Sequence, residues 1–173
     1  NLENGDYQVS ARVGETDRMA VAFDMHPDHG REGTGLNYRT NLYYMETNDA
    51  GRHWKTVDGT PVKVPVTEAK SPALVRDYRA EDSSVYLKNI AFTGDGRPVV
   101  LYLTSKSWRP GPTSAPFQWH TVEWTGKKWQ FRPFTTSDHN YDHGELYIES
   151  DGTWRIIAPT QPGPQPWGAG GEM

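Results

Sequence analysis

The chain has 173 residues, a formal net charge of −4 at pH 7 and a mean hydropathy of −0.80. This acidic balance predicts no nucleic-acid partner, because phosphate binding needs a basic stripe on the surface. No apolar run approaches the ~20 residues of a membrane-spanning helix, so no membrane partner is expected. The absence of cysteine excludes disulfides and thiolate metal sites.

In chain order, the sequence is a series of short strands joined by tight turns. Helical periodicity is nearly absent, and residues 68–79, the one segment that suits a short helix, are interrupted by Pro72. Strand–turn–strand patterns recur, two of them with Asp-Gly at the turn, which is a strong hairpin signal. The predicted hairpins occupy residues 7–25, 40–57, 86–103, 119–134 and 144–160.

Pairs of these hairpins form a repeating unit of four antiparallel strands, A to D, which is the blade of a β-propeller. The sequence predicts a single partial propeller domain over residues 1–173, with blade 1 at about 5–60, blade 2 at about 84–135 and an incomplete blade 3 at about 142–173. Propellers have about four to eight blades, so the remaining blades are expected from the rest of the polypeptide or from another chain. A β-sandwich is the rival fold, but the recurrence of the two-hairpin unit favours the propeller.

The turn at residues 47–54, TNDAGRHW, resembles the Asp box of bacterial neuraminidase repeats. His53 stands where that pattern usually has Thr, and the second copy, at residues 124–129, keeps the turn and the Trp but lacks the Asp. Residues 36–173 resemble a neuraminidase-repeat (sialidase-like) family found among polysaccharide-degrading gene sets. That family is similar to seven-bladed propeller polysaccharide lyases, including those that cleave ulvan. The resemblance implies a propeller in which Asp49, His53 and Trp54 are architectural.

By analogy with propeller enzymes, function is expected at the end that carries the B–C loops and the D–A links. The B–C loops are assigned to residues 24–41, 104–120 and 160–173, and the D–A links to residues 58–84 and 135–144. Five of the six histidines fall in these segments. Histidine supplies a base near neutral pH, and arginine grips a carboxylate with two parallel hydrogen bonds.

The candidate catalytic residues are of the types that elimination from a uronate needs: a cation, a base and an acid. They are Arg39, Arg109, His139, Tyr141, Asp142 and His143. The candidate substrate-binding residues are polar or aromatic side chains of the same loops and of strand A. They are His29, Tyr86, Lys88, Trp108, Trp119, His120 and Trp167. For each one a structural reading competes: Asx-turns for the acids, packing between blades for the rings, and surface ion pairs for the arginines.

Three functions remain open at this point. The first is degradation of an acidic polysaccharide by a lyase, and the second is glycoside hydrolysis of the sialidase or arabinanase type, for which Asp142 and Glu145 are candidates. The third is glycan binding without catalysis. No cofactor is predicted; His26-x-Asp28-His29 and the 138–143 segment contain metal-ligand types but match no specific Zn or Ca spacing. Asn1 is not an initiator Met, so we expect a processed or trimmed start and an extracellular or periplasmic location.

Overall fold

The computed structural model describes residues 5–27, 37–109 and 111–160, and these residues form antiparallel sheets, with a short 3-10 helix at Pro112–Ser114. The helix considered over residues 68–79 does not form, and a strand occupies part of that segment. The strands are β1 (Gln8–Arg12), β2 (Met19–Met25), β3 (Thr40–Thr47), β4 (Trp54–Lys55), β5 (Pro61–Val62), β6 (Leu74–Arg76), β7 (Ser84–Phe92), β8 (Pro98–Ser105), β9 (Phe117–Trp124), β10 (Trp129–Ser137), β11 (Glu145–Ile148) and β12 (Trp154–Ile157).

In the first sheet, two short strands share the outer position. The order is β1-β2-β3-β4-β5, and β6 also pairs with β3. β4 pairs with β3 at Glu46, and β6 pairs with it at Leu42 and Tyr43, nearer the other end. Residues 58–84 are therefore not one loop at the functional end, as the sequence suggested. They add β5 to the sheet beside β4 and then return to β3 as β6 before β7 begins.

The second sheet has the order β10-β9-β8-β7 and matches a four-stranded blade in which the chain advances one strand at a time. The connection between β8 and β9 covers residues 106–116, so His120 does not belong to the loop to which the sequence assigned it. It lies within β9, opposite Tyr102 of β8. In the third sheet, β11 pairs with β12 along all four residues of each strand.

Apolar side chains from both faces of the second sheet hold the three sheets together. One cluster joins the first two sheets and includes Ala22, Leu42, Val85, Val100 and Val122. A second cluster joins the second and third sheets. The first strand of the second sheet, β7, contacts both β1 and β11. The first strands of the three sheets thus lie next to one another, as they do around the axis of a propeller.

The contact between the second and third sheets centres on Trp119. Its side chain is fully buried, and its Nε1 donates a hydrogen bond to the backbone oxygen of Pro159 at 3.1 Å. Gly144 lies directly against the indole, and a Cβ added there would come within 2.7 Å of the Trp119 ring. Glycine before β11 therefore permits the close approach of the third sheet.

The Asp-box turn is held by its own side chains. Asp49 accepts hydrogen bonds from the His53 backbone N–H at 3.0 Å and from the Thr47 hydroxyl at 2.8 Å, and it contacts His53 Nδ1 at 2.6 Å. These hydrogen bonds, led by that from the His53 backbone, lower the pKa of Asp49. Gly51, at φ 84°, lies against the Trp54 ring. The turn is a local structural unit in which these side chains have mutual partners.

Candidate active site at the mouth of the sheets

Three parts of the chain meet at the end of the sheets that carries the β2–β3 and β8–β9 connections, here called the mouth. The parts are the edge of the first sheet, strand β7, and the segment at residues 137–143 that leads into β11. The Val85 backbone N–H donates to the Arg39 oxygen at 2.9 Å, and the Tyr86 hydroxyl donates to the Asn37 oxygen at 3.1 Å. These bonds fix residues 37–39 against the start of β7.

Arg39 lies between two aromatic rings at the mouth. Its Cζ is 3.7 Å from the centroid of the Tyr7 ring and 5.6 Å from that of Tyr86. Stacking on a ring face orients a guanidinium without consuming its N–H groups. The side chain is half-buried. Arg39 is therefore held in a defined orientation at the edge of the site.

The segment at residues 137–142 folds into a compact turn in which His139, Asn140 and Asp142 are buried. The Ser137 hydroxyl donates to Asp142 Oδ2, and the Tyr141 backbone N–H donates to His139 Nδ1 at 3.0 Å. Burial lowers the pKa of His139. The ionisable side chains of His139 and Asp142 thus stabilise the turn through hydrogen bonds within it.

Two side chains tie this turn to the rest of the mouth. The Tyr141 hydroxyl donates to Asn37 Oδ1 at 2.8 Å, a contact across 104 positions of the chain. The Lys88 Nζ donates to the Asn140 backbone oxygen at 2.6 Å. Arg39, Tyr141 and Lys88 are each half-buried as residues.

Asp24 and His26, at the end of β2, form a buried pair behind Arg39. Asp24 is fully buried and accepts the Tyr7 backbone N–H at 2.8 Å, while its Oδ1 lies 3.7 Å from His26 Nε2. Burial raises the pKa of Asp24 to about 7, although the Tyr7 bond and Arg39 act in the opposite direction. Burial, with help from Arg39, lowers the pKa of His26 to about 4. Both groups are thus biased towards their neutral forms.

Replacing Asp24 with Asn should change how stability depends on pH. The folded state keeps the Asp24 proton up to about pH 7, whereas the unfolded chain loses it near the ordinary aspartate pKa of 3.8. The stability that this group contributes is complete below the unfolded pKa and is lost as pH rises towards about 7. The difference in unfolding free energy between the native protein and Asp24→Asn should therefore fall across that window. Urea unfolding at several pH values measures it, and exposed Asp17→Asn is the control; a constant difference for Asp24→Asn would contradict the expectation.

The structure brings only some of the predicted site residues together. The mouth contains Arg39, Tyr86, Lys88, His139, Tyr141 and Asp142. His143 and Arg109 are exposed, with the Arg109 Cζ 5.6 Å from the centroid of the half-buried Trp108 ring. His29 and Trp167 lie outside the described residues.

Two of the predicted substrate-binding residues face the packed interior. Trp119 is enclosed between sheets, where its ring cannot meet a sugar, so the competing structural reading holds for it. The His120 ring stacks on the buried Tyr102 ring with 5.1 Å between the centroids, and its Nε2 is hydrogen-bonded to Thr104 Oγ1 at 2.9 Å. Burial lowers the pKa of His120 to about 4. Strand alternation turned these two neighbouring side chains to opposite faces of β9.

Tyr7, Asp24 and Asn37 belong to the mouth but were not among the predicted site residues. They lie just before β1, near the end of β2 and before β3. Their positions at the strand ends on the mouth side could have indicated that they belong to the site, but they form no distinctive sequence motif. Their pairing with Arg39 and Tyr141 depends on distant parts of the chain.

A concavity of about 550 Å³ lies at the opposite end, beside the Asp-box turn. It is lined in part by Asp49, His53 and Trp54, which the turn already uses. The mouth, in contrast, is an open surface where three segments converge, as expected for a funnel only part of which is present. The mouth is therefore the candidate site.

Within residues 5–27, 37–109 and 111–160, no group of three or more His, Asp or Glu side chains has the arrangement of a metal site. Asp28 and His29, which belong to one of the sequence patterns considered for a metal, lie outside these ranges. In the same described part of the chain, no helix has the length and apolar character needed to cross a membrane.

The sheets and their shared mouth define a partial β-propeller with a polar site beside its innermost strands. The chain belongs to the BNR repeat-containing family, whose model matches residues 6–137. It is 28% identical over 130 residues to an ulvan lyase of Alteromonas sp. (strain LOR), which covers 67% of this chain and 25% of that protein. These findings confirm the neuraminidase-repeat resemblance.

Two solved structures share the fold. One is a PL25 ulvan lyase bound to -[GlcA(1-4)Rha3S]-, with a TM-score of 0.67 and 18% identity over 90% of this chain and 36% of that chain. The other is a PL25 ulvan lyase with a TM-score of 0.64 and 19% identity, covering 90% of this chain and 37% of that chain. The partial propeller predicted from sequence is thus confirmed. The chain spans about a quarter of the curated relative's length and about a third of the solved chains.

Proposed function

We propose that this protein degrades an acidic polysaccharide by β-elimination at a uronate residue. The observation that carries the proposal is the convergence of a guanidinium, a phenol and an amine at one mouth, supplied by Arg39, Tyr141 and Lys88. The similarity to ulvan lyases supports the same substrate class. The further blades of the propeller, from the rest of the polypeptide or from another chain, would complete the funnel.

In this proposal, Arg39 binds the uronate carboxylate. Neutralising that charge acidifies the C5 proton and stabilises the charge that develops when the proton leaves. The guanidinium is already oriented by the rings of Tyr7 and Tyr86, so little reorganisation is needed on binding.

Tyr141 is proposed as the acid that protonates the leaving oxygen. Its hydroxyl is oriented by Asn37 Oδ1, and its backbone is fixed by His139. His139 is enclosed and accepts a hydrogen bond through Nδ1, so it acts as a positioning residue. The base is then an exposed or half-buried group near the mouth, and His143 and Lys88 are the two candidates.

Hydrolysis by a carboxylate pair has less support from the geometry. Asp142 is buried and accepts the Ser137 hydroxyl, while Glu145 accepts Asn89 Nδ2 at 2.6 Å. Each has a structural partner, and they belong to different contacts. Hydrolysis and glycan binding without catalysis are therefore the alternative outcomes of the activity test described next.

The test incubates the full-length protein with ulvan and other uronate polysaccharides. Elimination creates a C4–C5 double bond, so ultraviolet absorbance of the unsaturated product should rise together with new reducing ends. New reducing ends without that absorbance would indicate hydrolysis and contradict the proposal. Binding with neither signal would indicate a glycan-binding propeller.

A further inference from the structure

Lys88 occupies an irregular position in the innermost strand of the second sheet. Leu87 pairs with Tyr102 and Asn89 pairs with Leu101, so Lys88 is an extra residue without a partner on β8. Such an insertion is a β-bulge, and bulges near functional sites commonly redirect a side chain.

The bulge changes which face each side chain of β7 occupies. Before it, Tyr86 packs between the second and third sheets and Leu87 between the first and second. After it, Ile90 packs between the first and second sheets, and Ala91 faces the third. Strict alternation would have placed Ile90 on the same face as Tyr86. The extra residue lets Lys88 reach Asn140 while both apolar faces of the strand remain packed.

The surroundings of Lys88 favour the neutral form of its amine. Its Nζ donates to the backbone oxygen of Asn140, a neutral acceptor that a neutral amine also satisfies. The charged and titratable groups around it are Arg39 of the first sheet and His139 and Asp142 of the turn. Asp142 accepts the Ser137 hydroxyl, and Arg39 opposes a second positive charge.

Burial, followed by Arg39, lowers the pKa of Lys88 to about 7, while Asp142 acts in the opposite direction. As a residue, Lys88 is half-buried. An amine that is neutral in a substantial fraction of molecules at neutral pH is suited to accept a proton.

We propose that Lys88 is the base of the elimination, an assignment that rests on the proposed function. The Nζ lone pair takes the C5 proton of the uronate, the electrons of the C5–H bond form the C4–C5 double bond, and the C4–O bond breaks. Tyr141 gives its phenolic proton to the leaving oxygen. Lys88 then loses its proton, and Tyr141 regains one, through solvent, so neither side chain is consumed.

The test compares Lys88→Arg and Lys88→Met with the native full-length protein, measuring initial rates on the uronate polysaccharide by product absorbance. Arginine keeps the positive charge but cannot act as a base, because its pKa exceeds about 12. Both variants should therefore lose about 10²–10⁴-fold in kcat, the usual contribution of a general base. Lys55→Met, near the Asp-box turn at the far end, is the control and should keep native activity.

A Lys88→Arg variant that keeps at least a tenth of native kcat would overturn the proposal. If His143→Ala loses activity while Lys88→Arg keeps it, the base is His143. Loss of activity in both Lys88 variants, with a native melting temperature, supports the proposal.

If the native protein itself produces no unsaturated product, the proposed function fails, and Lys88 can still be tested separately. Competitive acetylation followed by peptide mass spectrometry should then give Lys88 a reactivity midpoint near its pKa of about 7, and a midpoint at the ordinary lysine pKa would refute its neutral state.

Discussion

Arg39→Ala should lower kcat/KM on a uronate polysaccharide by about 10²–10³-fold, the range expected when a preorganised group that stabilises developing charge is removed. The native guanidinium lies 3.7 Å from the Tyr7 ring centroid, in an orientation that solvent cannot reproduce. Without it, the carboxylate keeps its negative charge, and C5 loses its proton more slowly. Steady-state kinetics by product absorbance measure the effect.

Two further variants separate charge from geometry at this position. Arg39→Lys keeps the charge but loses the planar pair of donors, so its activity should lie between those of the native protein and Arg39→Ala. Arg52→Ala removes an exposed arginine beside the Asp-box turn and controls for a general loss of positive charge. Native kcat/KM in Arg39→Ala would remove this residue from the mechanism.

Trp119→Ala should destabilise the protein by about 3–5 kcal/mol, the usual cost of removing a large aromatic side chain from a core. The indole is fully buried between the second and third sheets, and its Nε1 donates to Pro159. Its loss would leave a cavity beneath Gly144 and weaken the docking of the third sheet, which the 137–143 turn precedes. Denaturant unfolding followed by tryptophan fluorescence and circular dichroism measures the change.

Trp108→Ala is the matched control for Trp119, because it removes the same side chain from a half-buried position in a loop. Its destabilisation should be clearly smaller. Equal losses for the two variants would show that Trp119 is not a specific contact between the sheets. Activity of Trp119→Ala, measured well below its melting temperature, then reports whether sheet docking also shapes the mouth.

The repeated hairpins were readable from sequence because they depend on local signals. Turn residues such as Asp49 and Gly51 fix the backbone of their own segment, and apolar alternation specifies which faces are buried. The split outer position of the first sheet was not readable, because a strand as short as Leu74–Arg76 is specified by its partner β3 and not by its own composition.

The site was predictable in part for the same reason. The sequence placed Arg39, Lys88 and the 138–143 segment at one end of the sheets, and the structure brings Arg39, Lys88 and Tyr141 to one mouth. It did not reveal that His139 is enclosed, since burial follows from how the turn folds upon itself.

The sequence by itself determined that this is a repeat-built, all-β chain with polar chemistry at one end of its strands, because strand alternation and turn chemistry act over a few residues. Only the tertiary structure decided which groups face that end. Trp119 and His120 are neighbours that point to opposite faces, and a single bulge places Lys88 at the mouth. Partners such as Tyr141 and Asn37 lie 104 positions apart, so their contact depends on the packing of separate sheets.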